Sequence, residues 1–369
     1  MSQTDILILT TRTGGGHWNL AQSLREMLEA RFTVTIVDPY PNLMQRYYTA
    51  LSRYYLSFWD FQYAWADSPG RARLVHHVLT YFMRDHLAAL IDRVKPMVIL
   101  STHSLLSYEV ARANERLARR IPLIFQLTDL AQVHRSWFTE KRADAYLVPT
   151  QEILAQALGN HVVASRLHVT GRPVRSQFSQ VKPVARGAVL TGLGLNPALF
   201  TIFLQGGAKG SASVDRTAMN VLAADVSIQI ILAAGNNTAL LPYFAGHERI
   251  KVLSFTEQIA PYMAAADLIV GKAGASFLSE AFMLEKPCLI TSYLPGQETP
   301  NLRFLQQHNL GWVALEPDIQ RQLIQAITAN PALLYEKRES TRIYRAWNVQ
   351  ANQSIMPVIC SFLHSSVGA

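Results

Sequence analysis

Short, continuously apolar runs recur along this chain in two series, with longer amphipathic stretches between them. In the first series these are Ile6 to Leu9, Val34 to Val37, Met97 to Leu100, Leu123 to Leu127 and Ala145 to Val148. A strand without polar alternation is covered on both faces, which is the condition of a parallel sheet flanked by helices. The intervening stretches, such as Asn19 to Ala30 and Leu105 to Arg120, have helical spacing. Strand and helix in alternation predict a doubly wound α/β domain. The pattern lapses from Val169 to Pro197, where Gly171, Pro173, Pro183, Gly187, Gly192 and Gly194 predict a linker with a short helix. It resumes with Phe200 to Leu204, Ile228 to Ala233, Ile250 to Leu253, Leu268 to Val270 and Pro287 to Ile290. The expectation is two Rossmann-like domains, residues 1–172 and 173–345, facing a cleft. A helical stretch from Tyr335 to Leu363 ends in a segment, 346–369, that can return to the first domain. In open α/β sheets, ligands bind beyond the carboxyl ends of the strands.

The chain has 369 residues, more than one ordinary core holds, and its 49% hydrophobic and 16% charged residues favour packed domains over disorder. The net charge of +8 predicts an anionic partner. The basic residues are scattered rather than striped, which argues against nucleic acid. Cys288 and Cys360 stand in no metal-ligand spacing and read as free thiols in a reducing compartment. Met1 leads almost directly into an apolar strand with no basic leader, and no apolar run approaches the ~18 residues of a spanning helix. The expected location is the cytoplasm, peripheral on the inner face of a membrane.

Four loops carry chemistry. The first, Thr11-Arg12-Thr13-Gly14-Gly15-Gly16-His17, follows a strand and opens a helix. Glycines admit close backbone approach, and a helix start offers N–H groups and a positive dipole end. An imidazole there can act as a base, and a satisfied structural histidine fits the same position. The second loop, Gln205-Gly206-Gly207-Ala208-Lys209-Gly210-Ser211, suits a diphosphate, or is a solvated turn. In the third, Gly271-Lys272-Ala273-Gly274-Ala275-Ser276, small residues again open a helix, and Glu280 lies one turn past Ser276. A carboxylate there can accept both hydroxyls of a ribose; a helix cap with a solvated Glu is the alternative. The fourth, Leu294-Pro295-Gly296-Gln297-Glu298-Thr299-Pro300-Asn301, presents an amide and a carboxylate on one turn, a way to read sugar hydroxyls. No Asp-x-Asp pair occurs in the chain, so no site for a hard divalent cation is expected.

In combination these motifs resemble the monogalactosyldiacylglycerol synthase and diacylglycerol glucosyltransferase group of glycosyltransferase family 28, whose fold is GT-B. The resemblance includes Gly14-Gly15-Gly16-His17, Ser101-Thr102-His103, Thr128-Asp129-Leu130 with His134 and Trp137-Phe138, and Gly171-Arg172-Pro173. It continues through Gly206-Gly207, Lys272-Ala273-Gly274 with Glu280-Ala281, and Pro295-Gly296-Gln297-Glu298 with Asn301. The sequence departs from the family pattern at Trp18, Ser104, Ala208-Lys209 and Ala275-Ser276. The resemblance implies an inverting, metal-independent transferase without cofactor. It would move galactose or glucose from a UDP-sugar to diacylglycerol. Gly206, Gly207, Lys209, Lys272, Ala273, Gly274 and Ser276 would line the diphosphate, Glu280 the ribose and Phe255-Thr256 the uracil. Gln297, Glu298 and Asn301 would read the sugar. His17 and Asp129 are the candidate bases, and Gly15, Gly16, His103, His134 and Trp137 would lie on the acceptor side. The alternatives are the same fold with another acceptor, such as a lipid-linked peptidoglycan precursor or a small molecule, and a UDP-sugar 2-epimerase.

Between Tyr40 and Arg93 many aromatic residues are interleaved with Arg46, Arg53, Arg71, Arg73 and Arg84. Aromatic rings favour the lipid headgroup zone and Arg favours anionic lipid, so this stretch predicts docking on an anionic membrane surface. An aromatic core under long helices is the alternative.

Overall fold

The computed structural model describes residues 4–12, 15–40, 46, 50–51, 55–180, 185–206 and 214–365. Gly207 and Lys209 of the second glycine loop, Gly14 of the first, and Tyr47, Tyr48, Arg53 and Tyr54 of the aromatic stretch lie outside these residues. The chain forms two compact units. One comprises Met1–Arg175, Pro295–Pro300 and Trp347–Ala369, the other Ser176–Leu294 and Asn301–Ala346.

In the first unit, strands β1 (Ile6–Leu9), β2 (Val34–Val37), β3 (Val98–Ser101), β4 (Leu123–Gln126), β5 (Ala145–Val148) and β6 (Leu167–Val169) form one sheet in the order β2-β1-β3-β4-β5-β6. Every pairing is parallel. Residues of β1, β3, β4 and β5 alternate between two apolar clusters, one on each face, which accounts for their unbroken hydrophobicity. Helix α1 (Gly16–Leu28) returns from β1 to β2 and buries Leu20, Ala21, Leu24 and Leu28 on one stripe. Helix α2 (Leu56–Ala66) is followed by the long helix α3 (Pro69–Val94), and α4 (Ser104–Asn114) connects β3 to β4. The helix read as running from Leu105 to Arg120 stops early because the Asn114 side-chain amide bonds both N–H and C=O of Ile121, drawing the chain into β4.

In the second unit, β7 (Phe200–Gln205), β8 (Ile228–Ala233), β9 (Ile250–Leu253), β10 (Leu268–Lys272), β11 (Cys288–Ser292) and β12 (Gly311–Val313) form a second all-parallel sheet in the order β12-β11-β10-β7-β8-β9. Two edge strands escaped the sequence reading. β6 falls where a linker was expected to begin, and β12 was not anticipated. Both have three residues and are only partly buried over most of their length, so neither leaves an apolar run. The C-terminal stretch, read as one helix, is two: Pro331–Asn352 and α6 (Ile355–Ser365).

Helix α6 packs on the first sheet. Ile355, Ile359 and Leu363, spaced by one turn, join Ile6, Ile8, Val98, Leu100 and Ile124 in one cluster. Truncating the fully buried Ile359 to Ala should therefore destabilise this unit by about 2–5 kcal/mol. A urea titration should show an earlier midpoint for Ile359→Ala and an unshifted one for Val349→Ala, whose side chain is exposed.

Candidate active site at two sheet switch points

Each sheet has one place where the strand order reverses. In the first it lies between β1 and β3, and in the second between β7 and β10. The loops leaving these strands diverge and open a crevice at the carboxyl edge. All four loops that do so carry motifs singled out in the sequence.

At the first switch point, β1 leads through Thr10 and Thr11 to Gly15, which caps α1 with φ 84°, a left-handed conformation suited to glycine. Gly16 and His17 begin the helix. β3 leads to Thr102 and His103, and Thr102 reaches back across the crevice. Its carbonyl oxygen lies 2.7 Å from His17 Nδ1. The Nδ1–H therefore donates to Thr102, and the lone pair sits on Nε2, the arrangement of a base held in one tautomer. Burial pushes the His17 pKa down to about 4, the Arg172 charge adds to the effect, and the Thr102 hydrogen bond opposes it. The ring of His103 meets that of His17 edge-on at 4.4 Å. His103 is also the N-cap of α4, its Nδ1 accepting from the Leu105 N–H at 3.2 Å. Burial, with His17 and His76 nearby, holds the His103 pKa well below the ordinary value.

Asp129 lies just past the end of β4 and is almost fully buried, with Thr128 Oγ1 donating to its Oδ2 at 3.2 Å. β3 stands between β1 and β4, so the ends that carry His17 and Asp129 are about 10 Å apart at two strand spacings. Arg172 belongs to the Gly171-Arg172-Pro173 motif. It is buried, donates from Nε to the Thr128 carbonyl at 3.0 Å, and places its charge on His17. Asn348 holds the backbone of Arg172 through N–H and C=O at 2.8 and 3.1 Å. Gly171, with φ 67°, admits that amide where a Cβ would lie 2.6 Å from Asn348 Oδ1.

His134 opens the turn Arg135–Phe138. Its Nδ1 accepts from the Ser136 N–H at 3.1 Å, so the proton is on Nε2, which donates to the Tyr63 carbonyl at 3.2 Å. Trp137 points the other way, into the core against Phe125, and is 2% exposed. Beneath this turn lies a pair that sequence reasoning missed. His76 Nδ1 is 2.9 Å from Glu109 Oε1 and its Nε2 is 3.2 Å from the Ser136 carbonyl, with both side chains fully buried. Burial raises the Glu109 pKa and His76 opposes it.

At the second switch point, Gly206 follows β7. Gly271 and Lys272, read as loop residues, are the last two of β10, with a register shift between them against β11. A Cβ on Gly271 would lie 2.5 Å from the Gln205 carbonyl oxygen, so only glycine lets the two strands close here. Gly274 then caps helix α5 (Ala275–Met283), which starts without a side-chain cap and so presents its positive end at the crevice. Ser276 is partly exposed and Glu280, one turn on, is nearly buried. After β11 comes the Pro295–Pro300 turn, where Gly296 has φ 72° and Glu298 is buried. Asn301 is fully buried, and its amide donates to the Ala273 carbonyl at 3.0 Å, which braces the third loop. Phe255 and Thr256 follow β9, the edge strand two places from β7. Phe255 is 67% exposed, an open apolar face with no core role.

Residues 17–174 match the family model of monogalactosyldiacylglycerol (MGDG) synthase, and residues 201–343 that of the glycosyltransferase family 28 C-terminal domain. The chain is 26% identical over 335 residues to monogalactosyldiacylglycerol synthase 3, chloroplastic, of Arabidopsis thaliana, covering 85% of this chain and 71% of that protein. Among solved structures it is similar to MurG of Acinetobacter baumannii, with TM-score 0.61, 15% identity and coverage of 97% of this chain and 99% of that one. It is also similar to Anabaena HepE in complex with UDP, with TM-score 0.56, 14% identity and coverage of 97% and 100%. The likeness in structure establishes the fold, two parallel-sheet α/β domains of the GT-B type. With two family models matched in succession along most of its length, the chain is similar to the monogalactosyldiacylglycerol synthase group of glycosyltransferase family 28, which indicates a UDP-sugar-dependent glycosyltransferase.

Proposed function

We propose that this glycosyltransferase moves galactose from UDP-galactose to the free hydroxyl of diacylglycerol, with inversion at the anomeric carbon. The observation that carries this reading is His17 at the first switch point, with Nδ1 fixed by Thr102 and Nε2 proton-free at neutral pH. Nε2 takes the acceptor proton as its oxygen attacks the sugar. UDP leaves from the opposite face in a single displacement, so no covalent sugar–protein intermediate is needed. Asp129 is the other candidate base. The negative charge that develops on the diphosphate is met by the positive end of α5, the small residues Gly206, Gly207, Ala273, Gly274 and Ser276, and Lys272 and Lys209. Glu280 accepts the ribose hydroxyls, and Phe255 with Thr256 lies along the uracil. Gln297 and Glu298 read the sugar, while Asn301 braces the third loop through the Ala273 carbonyl. The reaction proceeds without a divalent cation, in keeping with the absence of an Asp-x-Asp pair.

The acceptor is reached at a lipid surface. No helix of the described residues is long and apolar enough to cross a membrane. Two consecutive helices nevertheless turn apolar stripes outward. On α2 these are Phe58, Phe61 and Trp65, and on α3 Leu74, Val78, Tyr81 and Phe82, with Tyr81 80% and Phe82 74% exposed. The spacing is helical in both, so each stripe is a face. Ala72, His76, Met83, Leu87, Leu90 and Ile91 supply a separate buried stripe on α3. The buried side of α3 is thus aliphatic apart from His76, while its aromatic residues Tyr81 and Phe82 both meet solvent. Arg71 and Arg73 stand beside the outward faces, with the Arg71 guanidinium 5.4 Å from the Trp65 ring centroid. Burying one such ring contributes about 1.5–3 kcal/mol, and each adjacent Arg near anionic lipid about 1 kcal/mol.

Product mass analysis with UDP-galactose, UDP-glucose and UDP-N-acetylglucosamine over diacylglycerol liposomes tests the reaction. Monogalactosyldiacylglycerol should form from UDP-galactose and persist in EDTA. Transfer only to another acceptor, or a requirement for added Mg²⁺ or Mn²⁺, would refute the corresponding part of the proposal.

His17→Ala should lower kcat by about 10²–10⁴-fold, with KM for the UDP-sugar little changed. In the wild type, kcat should hold its plateau as pH falls through the ordinary imidazole range near 6.5, and decline only as pH approaches about 4, where His17 gains a proton. A variant with near-normal kcat, or a wild-type decline centred near 6.5, removes His17 as the base.

Phe61→Ser combined with Tyr81→Ser and Phe82→Ser should leave UDP affinity intact and reduce sedimentation with phosphatidylglycerol-containing vesicles. Wild-type binding should weaken with salt as exposed charges are screened over ~8 Å at physiological ionic strength. Equal binding by the triple variant would exclude these stripes as the docking face.

A further inference from the structure

Helix α2 has two working edges. Phe58, Phe61 and Trp65 occupy the outward one. The opposite edge carries Asp60 and Tyr63 and ends at the C-cap Asp67, again at helical spacing; the first two border one turn of the first unit, and Tyr63 and Asp67 also reach the turn that follows β4. The Tyr63 ring presses on the Pro295–Pro300 turn so closely that a Cβ on Gly296 would lie 2.7 Å from Tyr63 Cδ1 and 3.1 Å from Asp60 Oδ1. The turn is tight, with the Gln297 N–H donating to the Pro295 carbonyl at 2.9 Å. The Tyr63 carbonyl accepts from His134 Nε2, and the two rings meet edge-on at 4.7 Å. Asp67 Oδ1 accepts the Arg135 N–H at 2.7 Å. No residue of α2 is fully buried. The helix therefore has no fully buried core stripe, and this edge supplies its contacts with both turns.

We propose that Tyr63 is a positioning residue for sugar transfer: its ring is the stop against which the Gly296 turn sets Gln297 and Glu298, and its carbonyl sets His134 in the same movement. This rests on the reading that Gln297 and Glu298 hold the donor sugar. Gly296 is glycine for two reasons that coincide. Its φ of 72° is left-handed, and the ring leaves no room for a side chain. A turn stopped in this way has one register, and removing the ring gives it freedom of about the size of the ring. Displacement of a sugar-holding group by ~1 Å is enough to lower a transfer rate by about two orders of magnitude. Because the same helix bears Phe58, Phe61 and Trp65 on its outer edge, its seating on a lipid surface and the setting of the sugar turn are properties of one rigid element.

The test separates the nucleotide from the sugar. Calorimetry measures UDP and UDP-galactose affinity, and kcat and KM are taken with detergent-dispersed diacylglycerol, for wild type, Tyr63→Ala, Tyr63→Phe and Gly296→Ala. Tyr63→Ala should keep the affinity for UDP, lose the increment that the galactose adds, and lose at least about tenfold in kcat. Tyr63→Phe should restore all three, because Cδ1 of the ring makes the contact. Gly296→Ala, which drives a methyl into that ring, should reproduce the Tyr63→Ala pattern from the other side and guards against a Tyr63→Ala protein that fails to fold. Retention of both kcat and the galactose increment in folded Tyr63→Ala or Gly296→Ala overturns the proposal. So does a parallel loss of melting temperature and UDP affinity that Tyr63→Phe does not rescue. A wild-type protein that binds UDP-galactose no differently from UDP, and transfers nothing, would instead remove the sugar-site reading and this inference with it.

Discussion

A parallel strand buried on both faces has no room along its length for a group that must meet water or substrate. The inner strands of both sheets are of this kind, and the consequence reaches every part of the candidate site. Chemistry is displaced to the carboxyl ends, where the backbone turns out of the sheet, and within those ends to the place where successive helices part to opposite faces. The β1 and β3 loops supply Gly15, Gly16, His17, Thr102 and His103, and the β7 and β10 loops supply Gly206 and Lys272 to Gly274. Glycine at these positions leaves the backbone N–H groups open at the crevice. Gly271 shows a demand for glycine from inside the sheet, where β10 must close on the Gln205 carbonyl.

The buried edge also sets the electrostatics. His17 sits at a helix start, and the dipole there disfavours a cation. The larger cause is desolvation, reinforced by the buried guanidinium of Arg172. An imidazole lowered in this way is a weaker base than a free one, but it is wholly in the basic form at neutral pH. Its orientation comes from a backbone carbonyl rather than from a carboxylate, so the orienting group carries no full charge to stabilise an imidazolium. Arg172 joins two parts of this arrangement, since it also bonds the carbonyl that precedes Asp129.

The helices α2 and α3 invert the usual surface pattern. A surface helix normally turns polar residues outward, whereas these carry rings on their outer faces and use their inner faces for quite specific contacts. On α3 the inner face includes the fully buried His76–Glu109 pair, which holds the Ser136 carbonyl and thereby the turn that presents His134. On α2 it is the Asp60–Tyr63–Asp67 edge. Apolar exposure on this scale is characteristic of interaction surfaces, and on α2 it lies opposite the edge whose Tyr63 carbonyl meets His134.

The sequence alone determined the α/β class, two successive parallel sheets, the glycine-rich loops that leave the switch-point strands, and the family resemblance. Unbroken apolar runs, glycine clusters at strand ends and small-residue helix starts are local signals, readable without knowing what lies across from them. Three-residue β6 and β12 gave no such signal, since an edge strand is half exposed and its identity comes from its neighbour's hydrogen bonds. Tertiary structure alone decided that Thr102 orients His17, that Arg172 joins the Asp129 loop to His17, and that Trp137 faces the core while His134 does not. It also decided which stripe of α3 is core and which is surface, because one helical stretch carried both. Each of these depends on pairs separated by tens to hundreds of residues, such as Arg172 with Asn348 or Tyr63 with Gly296. Only packing makes such residues neighbours, and periodicity within a single element carries no record of it.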